Sequence, residues 1–314
     1  MYTATFLGAF DTVTTVKGMA ESEAAFKETA QAVHDELLRY HQLFDIYNGY
    51  EGINNLKTVN DAAGIAPVEV DPAVIELLLD CREYYAATNG KVNAAMGSIL
   101  RLWHEARNDS LNNPANAYLP DPEALEEAAK HCDFESVILD EAASTVYLSD
   151  PAMSLDVGAI AKGWSVERTA RNAPAGLMIS VGGNTRATGP KDLSGTPWVV
   201  GIQDPKGGES YLHTVYVTES SLVTSGDYQR TFTVEGKAYH HIIDPDTLYP
   251  SAYWSSVTIA CADSGLADAL STALFLLPQE AGQALLDKYG AEALWVDRDG
   301  NLFYSPGFRE IIRT

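Results

Sequence analysis

Apolar and polar residues alternate over residues 2–16, the period of a strand with one buried face. The period then changes. Phe26, Ala30, Val33, Leu37, Tyr40 and Phe44 recur at spacings of four and three, which predicts an amphipathic helix ending near Asp45. The stretch Tyr47-Asn48-Gly49-Tyr50-Glu51-Gly52 is rich in turn formers and predicts an ordered loop. Asp71-Pro72 and Asp121-Pro122 each set a side-chain acceptor before a proline. That pair starts a helix, because proline suits the first helical position and the aspartate oxygen meets free N–H groups. The first of these helices runs through Leu77, Leu78, Cys81 and Tyr85 and stops at Asn89-Gly90. Another starts near Gly97 and carries Ile99, Leu102 and Trp103, with residues 108–120 expected as a surface loop.

Short strands are expected at 136–139 and 145–148, then a tight turn feeding a helix that ends near Asn172. Period-two runs follow at 177–181, 198–203, 212–217, 231–234 and 239–243. A strand at 255–260 leads into a helix capped by Asp263 or Ser264, and another helix follows Pro278. The tail reads as a hairpin, 293–296 with 302–304, turning at Asp299-Gly300. Strands and helices mix without strict βαβ alternation. The fold class is therefore α+β, with mixed, largely antiparallel sheets and packed helices. No repeat or low-complexity linker divides the chain. One domain over residues 1–314 is expected, and two lobes, if formed, would meet near 108–120.

Charge narrows the partners. The formal net charge is -22, a surface that repels nucleic acid and anionic lipid. It would also repel a phosphorylated ligand, so a site for one must supply its own positive potential from a cation, a helix N-terminus or a local lysine. The cysteines Cys81, Cys132 and Cys261 are far apart and form no CxxC pair, which supports neither a zinc knot nor a disulfide framework. No apolar run approaches the roughly 18 residues of a membrane helix. The first residues lack the basic and apolar regions of a signal peptide.

Four segments carry candidate chemistry. Asp268 and Thr272 lie four apart on an expected helix and share a face. A carboxylate and a hydroxyl form part of a shell for Mg²⁺, which takes oxygen ligands; a solvated Asp268 is the plainer alternative. Asp156 to Gly163 combines small residues with Lys162 at a helix start, suited to a pyrophosphate or simply to a tight turn. Gly182-Gly183-Asn184 ends a buried strand, as a bulge or a close ligand contact. His240-His241 precedes Asp244, with Asp227, Tyr228 and Arg230 upstream. In a strand only one imidazole can face a given site, and a histidine there suits proton transfer near neutral pH.

Together, Leu155 to Gly163, Val181 to Asn184, Thr224-Ser225-Gly226-Asp227-Tyr228, His240 to Pro245 and Ala267 to Thr272 resemble the FAD:protein FMN transferase family, the ApbE-type flavin transferases. The resemblance implies an ApbE-like fold and an Mg²⁺-dependent transfer of FMN from FAD to a threonine hydroxyl of a target protein, releasing AMP. The target would be a redox-pump or flavoprotein subunit. It implies metal ligands at the Ala159 main-chain oxygen, Asp268 and Thr272. FAD contacts are implied at Tyr47, Asn54, Asn55, Asn93, Ala94, Asp156, Lys162, Gly182, Gly183, Asn184 and His241. His241 is the candidate base, oriented by Asp244 or Asp227. Family members usually work outside the cytoplasm on a lipid tether, which here requires a trimmed N-terminus. The chain departs from the family at Glu51 to Lys57, at Val92-Asn93, and at Leu248, where a glycine is usual. Those departures keep two other readings in play: an FAD pyrophosphatase giving FMN and AMP, and a non-catalytic flavin-binding protein.

Overall fold

The structure, a computed structural model, describes every residue except Glu209, Gln229 and Thr314. The N-terminal alternating run forms two strands rather than one. β1 (Tyr2–Leu7) and β2 (Val13–Gly18) pair antiparallel, with Tyr2 opposite Gly18. Gly8, Phe10 and Asp11 all hold positive φ and reverse the chain between them, an event that hydrophobic alternation does not register. The expected apolar stripe lies on α1 (Glu23–Phe44). A short helix, α2 (Leu56–Asp61), follows beyond the turn-rich 47–52 segment, where the sequence pattern predicted no element. Asn55 caps it by accepting from the Thr58 N–H, and Thr58 Oγ1 accepts from the Asn55 N–H in return.

After β3 (Val68–Glu69), Asp71 caps α3 (Pro72–Ala87) by accepting the Ala73 N–H at 2.9 Å. α4 (Gly97–Asn112) runs further than expected and takes in the start of the anticipated 108–120 loop. Its buried stripe explains this: Ile99, Trp103, Ala106 and Ser110 keep spacings of four, three and four. α5 (Pro122–Ala129), β4 (Val137–Asp140), β5 (Thr145–Leu148) and α6 (Ala161–Asn172) come next. They are followed by β6 (Leu177–Val181), β7 (Asn184–Ala187), β8 (Trp198–Gln203), β9 (Tyr211–Val217) and β10 (Ser221–Gly226). β11 (Phe232–Val234) pairs with β12 (Lys237–Tyr239). The strand expected over 239–243 stops at Tyr239, because the chain folds into a loop in which Asp244 N–H donates to Tyr249 O and Ile243 bridges Pro250. β13 (Ser256–Cys261), α7 (Ser264–Phe275), α8 (Gln279–Tyr289), β14 (Glu292–Val296) and β15 (Leu302–Tyr304) complete the chain.

The chain forms two compact units. The first comprises Met1–His41, Ile160–Gly226 and Tyr253–Thr314. Its sheet has eight strands in the order β1-β2-β6-β7-β10-β13-β14-β15, every pair antiparallel. Alternation along β6 serves two cores. Ile179 and Val181 join Phe26, Val33 and Leu37 of α1 and Val166 of α6. Met178 faces Trp198, Ile202, Val215 and Val217 of the β8–β9 ribbon. α7 packs on β10, β13 and α6. Among the described residues no helix is long and apolar enough to cross a membrane.

The second unit comprises Gln42–Ala159 and Asp227–Ala252, and residues 108–120 all fall inside it. It holds the β3-β5-β4 sheet and the β11–β12 hairpin. Its core gathers Met96, Ile99, Trp103, Leu125, Phe232 and Ile243. Leu248, standing where a glycine was expected, keeps the glycine conformation at φ 65. Its carbonyl accepts the Trp103 indole N–H at 2.9 Å. Holding a branched side chain there costs roughly 1–2 kcal/mol.

Candidate active site

In the first unit the site is built where α6 meets α7. Asp263 caps α7 by accepting the Leu266 N–H, which sets the helix so that Asp268 is turned inward and only 4% exposed. A buried carboxylate needs donors. Asp268 Oδ2 accepts the Gly163 N–H at 2.8 Å, and Lys162 Nζ lies 3.7 Å from Oδ1. The glycine is required: a Cβ at Gly163 would run into the Ser264 carbonyl and the Asp268 side chain. Ser271 donates to the Asp268 carbonyl at 2.8 Å and shares a hydroxyl contact of 2.8 Å with Ser225. Thr272 lies one turn beyond Asp268 and is partly exposed. Asp268, Thr272 and Lys162 therefore share one unit, whereas Ala159, in the turn ahead of α6, ends a segment of the other.

Glu167 fastens the same two helices. It is 5% exposed. Its Oε2 accepts Arg186 Nε at 3.0 Å and the Ser264 N–H at 2.9 Å, and its Oε1 accepts Arg171 Nε at 3.1 Å. Arg186 follows Asn184 on β7, so one carboxylate ties α6, α7 and β7 together. Gly182 and Gly183 form the two-residue turn of the β6–β7 hairpin, at φ 55 and 95, the conformation of a type I′ turn. Next to them Asn184 is buried, and among the described residues its Nδ2 has no hydrogen-bond partner.

The second unit holds the other candidates. His240 is the core histidine, 6% exposed, with Nε2 in contact with the Ser251 carbonyl at 2.9 Å and Nδ1 accepting the Ile242 N–H. His241 is half-buried. Asp244 is bound by Lys91 at 2.7 Å and accepts the Asp246 N–H, so its carboxylate shapes the loop after His241. Asp227 is half-buried at the start of the returning segment. Asn93 donates to the Cys132 carbonyl and accepts the Ala95 N–H, and the Ala94 carbonyl accepts the Asp156 N–H at 2.8 Å. Asn54 donates to the Glu69 carbonyl, and Asn55 donates to the carbonyls of Gln42 and Asn48.

Tyr47 belongs to a cluster that sequence reasoning missed in part. The residue is 56% exposed, and its ring stacks on His104 at 5.1 Å between centroids and 27° between planes. Arg107, Arg230 and Asp156 lie close enough to shift their neighbours' ionisation. Burial, then Asp156, pushes the Tyr47 phenol up to about 12. Burial, then Arg107, lowers the His104 imidazole. Burial raises the Asp156 carboxyl against the pull of the Gly158 N–H, Arg230 and His104. The sequence signal was the spacing of His104 and Arg107, three apart on a helix.

The molecule is thus an α+β protein with a buried acidic centre of hard oxygen donors in one unit and an aromatic–arginine cluster in the other. The profile of the ApbE family matches residues 10–295. The chain is 37% identical over 278 residues to the FAD:protein FMN transferase of Treponema pallidum, covering 82% of this chain and 75% of that one. It is 30% identical over 285 residues to the protein of that name from Klebsiella pneumoniae, covering 87% and 86%. Its fold matches the crystal structure of the ApbE protein of Thermotoga maritima at a TM-score of 0.86, with 30% identity and coverage of 100% and 99%. The chain belongs to the ApbE family.

Proposed function

We propose that this chain transfers FMN from FAD to a threonine hydroxyl of a target protein, with Mg²⁺, and releases AMP. Curated relatives of 37% and 30% identity carry the transferase name. The carrying observation is Asp268, a buried carboxylate with a hydroxyl one turn later and a lysine beside it. Carboxylate and hydroxyl are hard oxygen donors, so Asp268 and Thr272 fit Mg²⁺. When bound, Mg²⁺ supplies charge neutralisation for the diphosphate.

The chain's own groups do the rest. The Gly163 N–H holds one Asp268 oxygen in place, and Lys162 offers an ammonium to phosphate. In the transfer, the acceptor oxygen forms a bond to the phosphorus next to riboflavin as the P–O–P bridge breaks and AMP leaves. His241 takes the proton from the acceptor hydroxyl at a ring nitrogen. The test is incubation with FAD, MgCl₂ and a threonine-bearing target, followed by denaturing electrophoresis. Covalent flavin fluorescence in the target band is expected, with one AMP per flavin attached, and Asp268→Ala should lose at least a hundredfold in rate. Steady FMN and AMP release with no labelled target would assign the chain to hydrolysis instead.

A further inference from the structure

Lys91 meets two carboxylates of one loop. α3 ends at Ala87, and Asn89 and Gly90 then turn the chain at φ 51 and 80. The Lys91 N–H donates to the Thr88 carbonyl at 3.2 Å, and the Val92 N–H donates to Thr88 Oγ1 at 3.0 Å. The root of the lysine is therefore fixed. Its ammonium donates to Asp244 Oδ1 at 2.7 Å and to Asp246 Oδ2 at 2.8 Å. The two contacts are unequal. The Lys91 and Asp244 side chains are 13% and 10% exposed, so water screens their pair poorly, whereas Asp246 at 74% is open to it. Asp244 lies 153 positions further along the chain.

The loop that the ammonium grips has His241 at its entrance. One side of the loop is pinned to Ser251, whose carbonyl contacts His240 Nε2 at 2.9 Å and whose N–H donates to the Ile242 carbonyl at 3.1 Å. The other side is a turn. The Asp244 N–H donates to the Tyr249 carbonyl at 2.9 Å, and the Leu248 N–H donates to the Asp244 carbonyl at 2.8 Å. Leu248 closes this turn at φ 65, a conformation that glycine takes without strain and a branched side chain does not. A turn strained at its closing residue needs a hold elsewhere, and the Lys91 ammonium supplies one.

We infer that Lys91 is a positioning residue for the transfer: by holding Asp244 it fixes the turn that aims the His241 imidazole at the acceptor hydroxyl. This rests on the reading of His241 as the base. The ammonium is committed to the two carboxylates, so it acts through the backbone between Asp244 and His241. A base works only within hydrogen-bond reach of the proton that it takes. The half-buried imidazole of a loosened loop therefore loses rate while nucleotide binding stays.

The test compares Lys91→Met, Lys91→Arg and His241→Ala with the unsubstituted chain. Single-turnover labelling of a threonine-bearing target at saturating FAD should slow about tenfold to a hundredfold in Lys91→Met, with FAD affinity unchanged by calorimetry. Lys91→Arg keeps the charge and should recover most of the rate. Added to His241→Ala, Lys91→Met should bring no further loss, because nothing is left for it to position. A full further loss in that background overturns the inference. So does an FAD affinity that falls as far as the rate, which would assign the ammonium to the nucleotide. A second readout does not depend on activity. By NMR of isotope-labelled histidines, the His241 ring signals, assigned by their loss in His241→Ala, should shift in Lys91→Met and return in Lys91→Arg. The signals of His34 and His213, in the other unit, report an intact fold. His241 signals that stay in place overturn the inference whatever the rates. A shift in a chain that labels no target refutes the transfer reading while upholding the hold of Lys91 on His241.

Discussion

Removing Glu167 should destabilise the first unit more than any solvent-facing substitution. Glu167→Ala strands three donors of unequal weight. The Arg171 side chain is 52% exposed, so water replaces that pair and its loss costs within about 1 kcal/mol. The Arg186 side chain is 12% exposed, and leaving one partner of a buried pair uncompensated costs about 3–5 kcal/mol. The orphaned Ser264 N–H would add roughly 1–3 kcal/mol, but it shares the same carboxylate oxygen, so the terms overlap and do not add. The expected loss is therefore about 3–5 kcal/mol, a large part of the roughly 5–15 kcal/mol that holds a domain together. Urea unfolding followed by tryptophan fluorescence measures it, with Trp164 on α6 as a reporter. A double-mutant cycle with Arg186→Met isolates the pair. A loss under about 1 kcal/mol, or strictly additive single variants, would refute the assignment of Glu167 as the buried tie between α6, α7 and β7.

Three other outcomes follow from the geometry. Gly163→Ala drives a methyl into the Ser264 carbonyl and the Asp268 side chain, which should cost about 1–3 kcal/mol and depress FMN transfer; unchanged melting and rate would show that the helices can part freely. Asp45 accepts N–H groups from Tyr47 and Asn48, the Asn48 side chain and the Tyr50 hydroxyl. Burial works to raise its carboxyl, but those donors outweigh it and hold it below 3.8. The folded value is depressed, so the stabilisation is present above 3.8 and lost as pH falls through the folded value. Unfolding free energies of the unsubstituted chain and Asp45→Asn should differ at pH 6 and converge with acid; a gap that widens below pH 3.8 contradicts the sign. His241→Ala should keep FAD affinity and slow transfer about 10²–10⁴-fold, measured by single-turnover labelling of the target; full speed would remove it as the base.

The sequence made the long elements legible because their signals are local. The stripe of α1, the Asp-Pro starts of α3 and α5, and the 292–304 hairpin all depend on neighbours within a few residues. The Asp268 and Thr272 pair was legible for the same reason, since four residues on a helix define one face. What was missed depends on distant partners. The break between β1 and β2 needs three consecutive-region positive φ values, and alternation is blind to φ. The short α2 rests on a cap rather than on a stripe. His240 and His241 could not be told apart until the Ser251 carbonyl came round to meet His240. Arg230 joins Arg107 across more than a hundred positions of chain, and no spacing rule spans that.

The strand order also carries a consequence for synthesis. β2 finds its neighbour β6 only at Leu177, which pairs with Gly18. At roughly 5–20 residues per second, the N-terminal hairpin stands on the ribosome for about 10–30 s with one border unmatched. Its companion segment is then delivered only after almost all of the interposed unit has been made. A nascent chain in that interval is the form most exposed to sticking to its own kind, and slowing translation midway between Gly18 and Leu177, once the hairpin has left the ribosome, should lower the soluble yield more than slowing it well after Leu177.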